Sequence, residues 1–400
     1  MKLLLCIIAI GVSSATQAQL DKNPYRFKEA IDSSLQRDTT PWKYQFAADD
    51  LSRMGAYFEM LALADSSNGG RGRNRRLSPE DSIYLSRFKP QSAREYILER
   101  AKKEQVIIIN EAHHQPLHRT FTTSLLKGLY NEGYRYLGLE TFGYIDTTLH
   151  QRKYPTWSTG WYMREPQFGN LVREALRVGF TVFPYETDEK RNGGFHNNKE
   201  REIDQAKNIT DFMKTHPGKY LLHVGYSHVV EGPYPAWEKA MAGRLKEYTG
   251  IDPFTINQEA LTEHSAPKFE LSDYPYISAS VPSVLVDGAG SYYNGLARDS
   301  SYDIRLYHPR TRLIHGRPHW LSLAGHRKAY FIPENKLTVE FPLLAKAYVA
   351  GENTGDAIPY DVIEIEQSGL KKALFLEKGK YTLLLQDRQG HTQQMNISIR

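Results

Sequence analysis

Glu111, His113 and His114 stand together in the stretch Val106–Arg119 (VIIINEAHHQPLHR), directly after four β-branched apolar residues. Glutamate and histidine hold divalent metals and move protons near neutral pH, so a group of them at the end of a buried strand is a candidate for chemistry. The same ending recurs. Tyr136–Leu139 runs into Glu140, Thr181–Tyr185 into Glu186, and Tyr220–Val224 into Gly225-Tyr226-Ser227-His228. A single such residue is commonly a cap. Glu111, His113, Glu140, Glu186 and His228 on matching ends of four strands are read as a functional site. His113, Glu140 and His228 are the expected ligands of a zinc, manganese, cobalt or iron ion, which lowers the pKa of bound water when a coordination position stays open. Glu111, His114 and Glu186 are the expected proton handlers, and Arg201 the group that holds a carboxylate or stabilises an oxyanion. A serine nucleophile is disfavoured, because GYSHV around Ser227 lacks the second glycine of a nucleophile elbow.

These side chains converge only if the strands are parallel. Helical patterns at Ser92–Lys103, Phe168–Val178, Lys199–Lys214 and Ala236–Tyr248 alternate with short apolar runs, of which Pro253–Ile256 is the last. Such alternation predicts βαβ units and a mostly parallel sheet flanked by helices, with ligands bound at the carboxyl ends of its strands. Two aromatic insertions, Tyr154–Tyr162 and Val230–Trp237, leave from that end and are expected to wall a substrate or to staple a loop. Asn23–Gln36 and Gln45–Ala64 predict a helical preface packed on the main domain. Beyond Thr262 the pattern turns to alternation, with Tyr276–Val286, Leu337–Phe341, Asp361–Glu366, Lys372–Leu376 and Tyr381–Gln386 as expected strands and Asp387–Gly390 as a hairpin turn. The expected division is therefore a helical segment over 19–103, an α/β domain over 104–262, a connecting region over 263–336, and a small antiparallel β-sandwich-like module over 337–400.

At 400 residues the chain is long enough for a sizeable core and more than one domain. Met1–Ala18 has a basic start, an apolar run and small residues before Gln19, the pattern of a secretory signal peptide. The run is too short for a comfortable membrane span, and no second candidate follows. An exported protein, periplasmic or extracellular, is expected. Cys6, the only cysteine, lies in that segment, so thiol nucleophiles, disulfides and cysteine metal sites are excluded from the mature chain. A net charge of +5 is too mild and dispersed for nucleic acid, and the basic stretch NGGRGRNRR is read as a solvated linker.

Four short motifs resemble known families. Asn110–His118 (NEAHHQPLH) resembles the G-E-x-H-x-x-P-x-H signature of ChaN-like proteins, and Leu139–Phe142 (LETF) looks like their L-E-M-F strand end. Gly225–Val229 (GYSHV) is similar to the G-x-x-H element shared with the TIKI/TraB group, and Arg201-Glu202 to the Arg-acid pair of the same proteins. More distantly, Glu111–His114 is similar to the G-E-A-x-H motif of erythromycin esterases, with His114 in the histidine role. The resemblance spans about Val106–Glu231, and Asn110 stands where glycine is usual. It implies an α/β sheet with polar residues clustered on one edge. It also implies a choice among metal-dependent peptidase activity, lactone hydrolysis and haem binding. The leading expectation is a secreted metal-assisted hydrolase of a peptide or ester bond in a peptide or small-molecule substrate. The alternative is a non-catalytic haem- or metal-binding protein with Tyr226 as an axial ligand. A third reading gives the carboxy-terminal module a cell-surface partner.

Overall fold

The computed structural model describes residues 23–67 and 74–400. The expected signal sequence, and Arg71 and Arg73 of the basic stretch, lie outside the described residues. At the centre is an eight-stranded sheet in the order β1-β7-β8-β6-β2-β5-β3-β4. Its members are β1 (Lys89–Ser92), β2 (Val106–Glu111), β3 (Tyr134–Leu139), β4 (Thr181–Pro184), β5 (Lys219–Gly225), β6 (Phe254–Leu261), β7 (Ser283–Val286) and β8 (Ile304–Tyr307). From β8 through β4 every pairing is parallel, and only β7 runs against its neighbours.

The β2 run is buried on both sides because the pleat sends alternate residues to opposite layers. Ile107 and Ile109 pack with α4 (Ala93–Ala101), α5 (Pro116–Asn131) and α6 (Pro166–Val178). Val106 and Ile108 pack with α7 (Asn198–Thr215) and α8 (Met241–Thr249). β5 lies between β2 and β3, so the ends of these three strands adjoin above the sheet. The chain moves from β2 to one side for β3 and β4 and later to the other for β6, which opens a crevice at the carboxyl end of β2.

Several boundaries differ from the sequence reading. The region 263–336 is more than a connector, since β7 and β8 complete the main sheet, and β1 comes from the segment expected to be helical. Leu337–Phe341 forms no strand; the strand starts after Pro342, where a ring-locked backbone without an N–H no longer interrupts the ladder. The carboxy-terminal sheet has the order β10-β9-β11-β12, all antiparallel, with β9 (Leu343–Val349), β10 (Asp361–Ile365), β11 (Gly379–Asp387) and β12 (Thr392–Ile399). One face shares a core with the two-stranded ladder of Lys328–Tyr330 and Leu374–Leu376. Leu344 and Val362 on the other face pack with α1 (Lys28–Arg37), α2 (Lys43–Arg53) and α3 (Tyr57–Ser67). The preface is thus wedged between this sheet and the α/β layer, which it meets through Tyr57 Oη donating to Glu263 at 2.9 Å and Tyr25 Oη donating to the Arg164 carbonyl at 2.7 Å. Among the described residues no helix is long and apolar enough to cross a membrane.

Lys346 shares a face of β9 with Leu344 and is only 2% exposed. Among the described residues its one polar contact is a 3.5 Å approach to Gln386 Oε1, and burial pushes its ammonium down to about 8 from 10.5. Between those values the unfolded chain binds more protons than the folded one, so stability rises with pH there and the penalty is complete below pH 8. Lys346→Met is expected to stabilise the fold by about 1–3 kcal/mol at pH 7, and by less at pH 10, in urea unfolding. Destabilisation at pH 7, or a gain that grows toward pH 10, would contradict this reading of Lys346.

Candidate functional site

Glu111 ends β2 fully buried and accepts four N–H groups. Arg119 Nε and Nη2 bind it at 2.6 and 2.7 Å, His113 Nδ1 at 3.0 Å and His223 Nε2 at 2.8 Å. Burial alone would raise its carboxyl, but Arg119 and the two imidazoles outweigh it and hold it well below the usual range. Because Glu111 is an ionised acceptor, the facing His113 nitrogen must carry the hydrogen, so in the neutral ring the lone pair is on Nε2. Arg119 in turn reaches Glu165 at 3.1 Å and the His113 carbonyl at 2.5 Å, which fixes the turn between β2 and α5 from both sides.

The His113 ring is sandwiched. Tyr162 from the first aromatic insertion stacks on it at 3.7 Å and Tyr226 meets it edge-on at 5.0 Å. Below it lies Gly225, where an added Cβ would overlap the imidazole and approach a Glu140 oxygen. Only glycine leaves room for this approach. Tyr226, the next residue, adopts φ +39°, a left-handed conformation rare for a side chain of its size. Asn110 helps hold it there, donating to the Tyr226 carbonyl at 2.8 Å while accepting the Gln258 N–H at 2.8 Å. Asn110 thus ties the ends of β2 and β5 to β6.

His113 Nε2 faces a second group, 4.0 Å from Glu140 Oε1. Glu140 also receives Arg201 Nη2 at 2.6 Å, His228 Nε2 at 3.3 Å and the Gly225 N–H. Burial would raise this carboxyl too, yet His228 and Arg201 hold it well below the usual range. Arg201 makes a two-oxygen ion pair with Glu186, which Gln205 also binds at 3.0 Å. On the far side of His228, Nδ1 lies 2.9 Å from one Glu202 oxygen and 2.7 Å from the other, and Glu202 accepts the first N–H of α8 at 2.7 Å. Trp237 of the second insertion lies over the His228 ring at 5.2 Å.

Burial alone would lower the His228 imidazole, but Glu140 and Glu202 together push it up to about 10. Arg201 Nη1 stands 3.2 Å from His228 Nε2, a distance that would suit a neutral acceptor. Carboxylates on both faces of the ring favour the imidazolium, and the approach is then one of two cations sharing Glu140.

Of the residues singled out in the sequence, His113, Glu140, Glu186, Arg201 and His228 therefore lie in one connected cluster, and Glu111 anchors it from beneath. His114 points elsewhere. It is pushed down to about 3 by burial, and its contact is with the Tyr226 hydroxyl at 3.4 Å. Burial also raises the Tyr226 phenol, which opposes the phenolate that haem ligation uses. Among the described residues no set of three or more His, Asp or Glu side chains is spaced to hold a metal ion. The Arg201 guanidinium touches both His228 and Glu140, which are themselves 3.3 Å apart, where an ion was expected among His113, Glu140 and His228. Sequence reasoning passed over Arg119, His223, Glu165 and Tyr162 as site residues. The available signals were a buried Glu111 in need of a cation and a histidine inside the apolar run of β5.

No protein-family model matches the chain, and no curated protein matches it. Solved structures give distant likenesses. The type III effector HopBA1 is 11% identical with a TM-score of 0.35, over 55% of this chain and 94% of that one. RRSP, a MARTX toxin effector domain from Vibrio vulnificus, is 12% identical with a TM-score of 0.29, over 70% and 55%. A structure described as bacterial protein toxins is 12% identical with a TM-score of 0.31, over 58% and 46%. Similarity at this level bears on neither activity nor substrate.

Two outcomes are expected from the geometry. Arg119→Met strands Glu111 and Glu165 in the interior and should cost about 3–5 kcal/mol in chemical unfolding; a loss below about 1 kcal/mol would show that the pair is not the anchor. Followed by NMR, the His228 ring should stay protonated through pH 8, and Glu202→Gln should move its titration toward neutrality by removing one of the two carboxylates. An unchanged titration would contradict the assignment.

Proposed function

We propose that this chain is a hydrolase of an ester or amide bond in which Arg201 does the electrostatic work expected of a metal ion. The observation that carries the reading is His113. Its Nδ1 is locked by Glu111, and its other nitrogen lies 4.0 Å from Glu140 Oε1, the same oxygen that receives Arg201 and His228. This is the arrangement of a general base with an orienting acid, joined to a preorganised site for developing negative charge.

In this reading His113 Nε2 takes a proton from water as the water oxygen bonds to the substrate carbonyl carbon. The carbonyl π pair moves to oxygen, and the resulting oxyanion is stabilised by Arg201 and the His228 imidazolium. When the tetrahedral carbon expels the alkoxide or amine, His113 returns the proton to that leaving group, and the acid and the alcohol or amine depart. Glu111 orients the base and Glu140 and Glu186 aim Arg201; none of them needs to gain a proton. The divalent ion expected from the sequence does not fit among His113, Glu140 and His228 while Arg201 is paired to Glu140 and Glu186, so no step is routed through one. Haem has less support, because Tyr226 stays a buried phenol.

A panel of p-nitrophenyl esters and peptide anilides tests this. His113→Ala is expected to lower kcat by about 10²–10⁴-fold, and Arg201→Ala by about 10²–10³-fold. Exhaustive chelation should leave wild-type turnover unchanged. Loss of activity on chelation, restored by one metal, would return the ion to the site and overturn the role given to Arg201. Hydrolysis that persists in both variants would remove the site altogether.

A further inference from the structure

Asp49 lies on α2, in the amino-terminal segment that the sequence reading treated as a helical preface. It is 4% exposed, its Oδ2 has no hydrogen-bond partner, and it makes no ion pair among the described residues. The nearby cation of its own helix is committed elsewhere, since Arg53 Nη1 binds Asp50 at 2.6 Å. An unpaired buried carboxylate is costly, and folded proteins rarely retain one without a use.

Its position says what it faces. Asp49 and Arg53 are four residues apart and so share a face of α2. The Arg53 guanidinium lies 4.9 Å from the Trp161 ring, and the adjacent Tyr162 is the residue stacked on His113. This face of α2 therefore covers the loop that roofs the His113 imidazole. Burial raises the Asp49 carboxyl above its ordinary range, the charges of Arg53, His113 and Arg119 counter that, and burial together with Asp49 in turn raises the Tyr162 and Tyr226 hydroxyls, which flank the same imidazole. In the two ion-pair clusters of the site the carboxylates are in excess. Glu140, Glu186 and Glu202 outnumber Arg201 and His228, and Glu111 and Glu165 outnumber Arg119. Nearby, the Trp161 indole N–H is also buried without an acceptor.

We propose that Asp49 binds a substrate ammonium group, so that the amino-terminal helices complete the binding site and select esters or amides that carry a positively charged amine. This rests on the hydrolase reading for the identity of the scissile bond, but not for the recognition itself. A cation brought to Asp49 supplies the missing ion pair beside the base and offsets the negative excess of the site. Asp49 is on this account a specificity residue.

Calorimetric titration of the full chain with phenethylammonium and 4-phenylbutylammonium, each against its alcohol isostere 2-phenylethanol or 4-phenylbutanol, tests the proposal without turnover. At pH 7 at least one ammonium probe is expected to bind the wild type about tenfold or more tighter than its alcohol. Asp49→Asn should bring that ratio to within about twofold. The isosteric variant removes an unpaired buried charge, so its Tm should hold or rise, whereas a merely structural role for Asp49 would lower it. Equal affinity for the members of each pair in the wild type, absence of binding by either ammonium probe, or a preference that survives Asp49→Asn would overturn the proposal. The wild-type comparison decides by itself if the variant does not fold. Discrimination between the probes with no cleavage of any ester or anilide would leave Asp49 in its role and remove the hydrolase reading. Cleavage without discrimination would do the reverse.

Discussion

The Arg119 guanidinium, buried between Glu111 and Glu165, is the interaction on which the rest of this site depends. A carboxylate at the end of an interior strand would ordinarily take up a proton to escape its desolvation. Arg119 keeps Glu111 charged, and a charged Glu111 can hold two imidazoles at once, His113 above it and His223 within the sheet. Arg119 is also bonded to the carbonyl of His113, so one cation sets both the ionisation of the anchor and the backbone of the residue it anchors. Tyr162 and Tyr226 confine the plane of the His113 ring, and Glu111 fixes the direction of its Nδ1–H.

A second guanidinium repeats the principle on the other side. Arg201 is held by Glu140 and Glu186, and His228 by Glu140 and Glu202, so each positive charge has its place fixed by carboxylates on strand ends or on α7. Such groups need little reorganisation when negative charge develops beside them, which is where electrostatic catalysis gains most. The sheet order explains why this is achievable. With β5 between β2 and β3, the loops that carry His113, Glu140 and His228 are neighbours despite their separation along the chain.

Much of this arrangement was legible in the residues. The parallel sheet could be read from apolar runs alternating with helical patterns, and the rim of polar residues from what followed each run. Less visible was pairing that depends on three dimensions. Arg119 lies off the apolar positions Leu117, Phe121 and Leu125 of α5 and so carried no signal of burial, yet it is 1% exposed and bound to Glu111. Arg201 was recognised as a holder of carboxylates, but its contact with both His228 and Glu140 follows from how α7 crosses the strand ends. β1 and β8 were missed because short strands next to irregular loops carry little periodic signal, and β7 lies in Tyr276–Val286, an alternating segment that was not assigned to the main sheet. The contribution of α2 could not be seen at all, since nothing in KYQFAADDLSR distinguishes Asp49 from the neighbouring Asp50, which is spent on Arg26 and Arg53.

The central claim is that an ionised Glu111 fixes the hydrogen of His113 on Nδ1 and leaves Nε2 as the base. Nitrogen-15 NMR of the histidine side chains in the full chain at neutral pH reads this directly. The account predicts the Nδ1–H tautomer for His113, with its Nε2 resonance in the range of an unprotonated nitrogen. An Nε2–H tautomer would leave no lone pair on that nitrogen to take a proton from water and would contradict the account at its base.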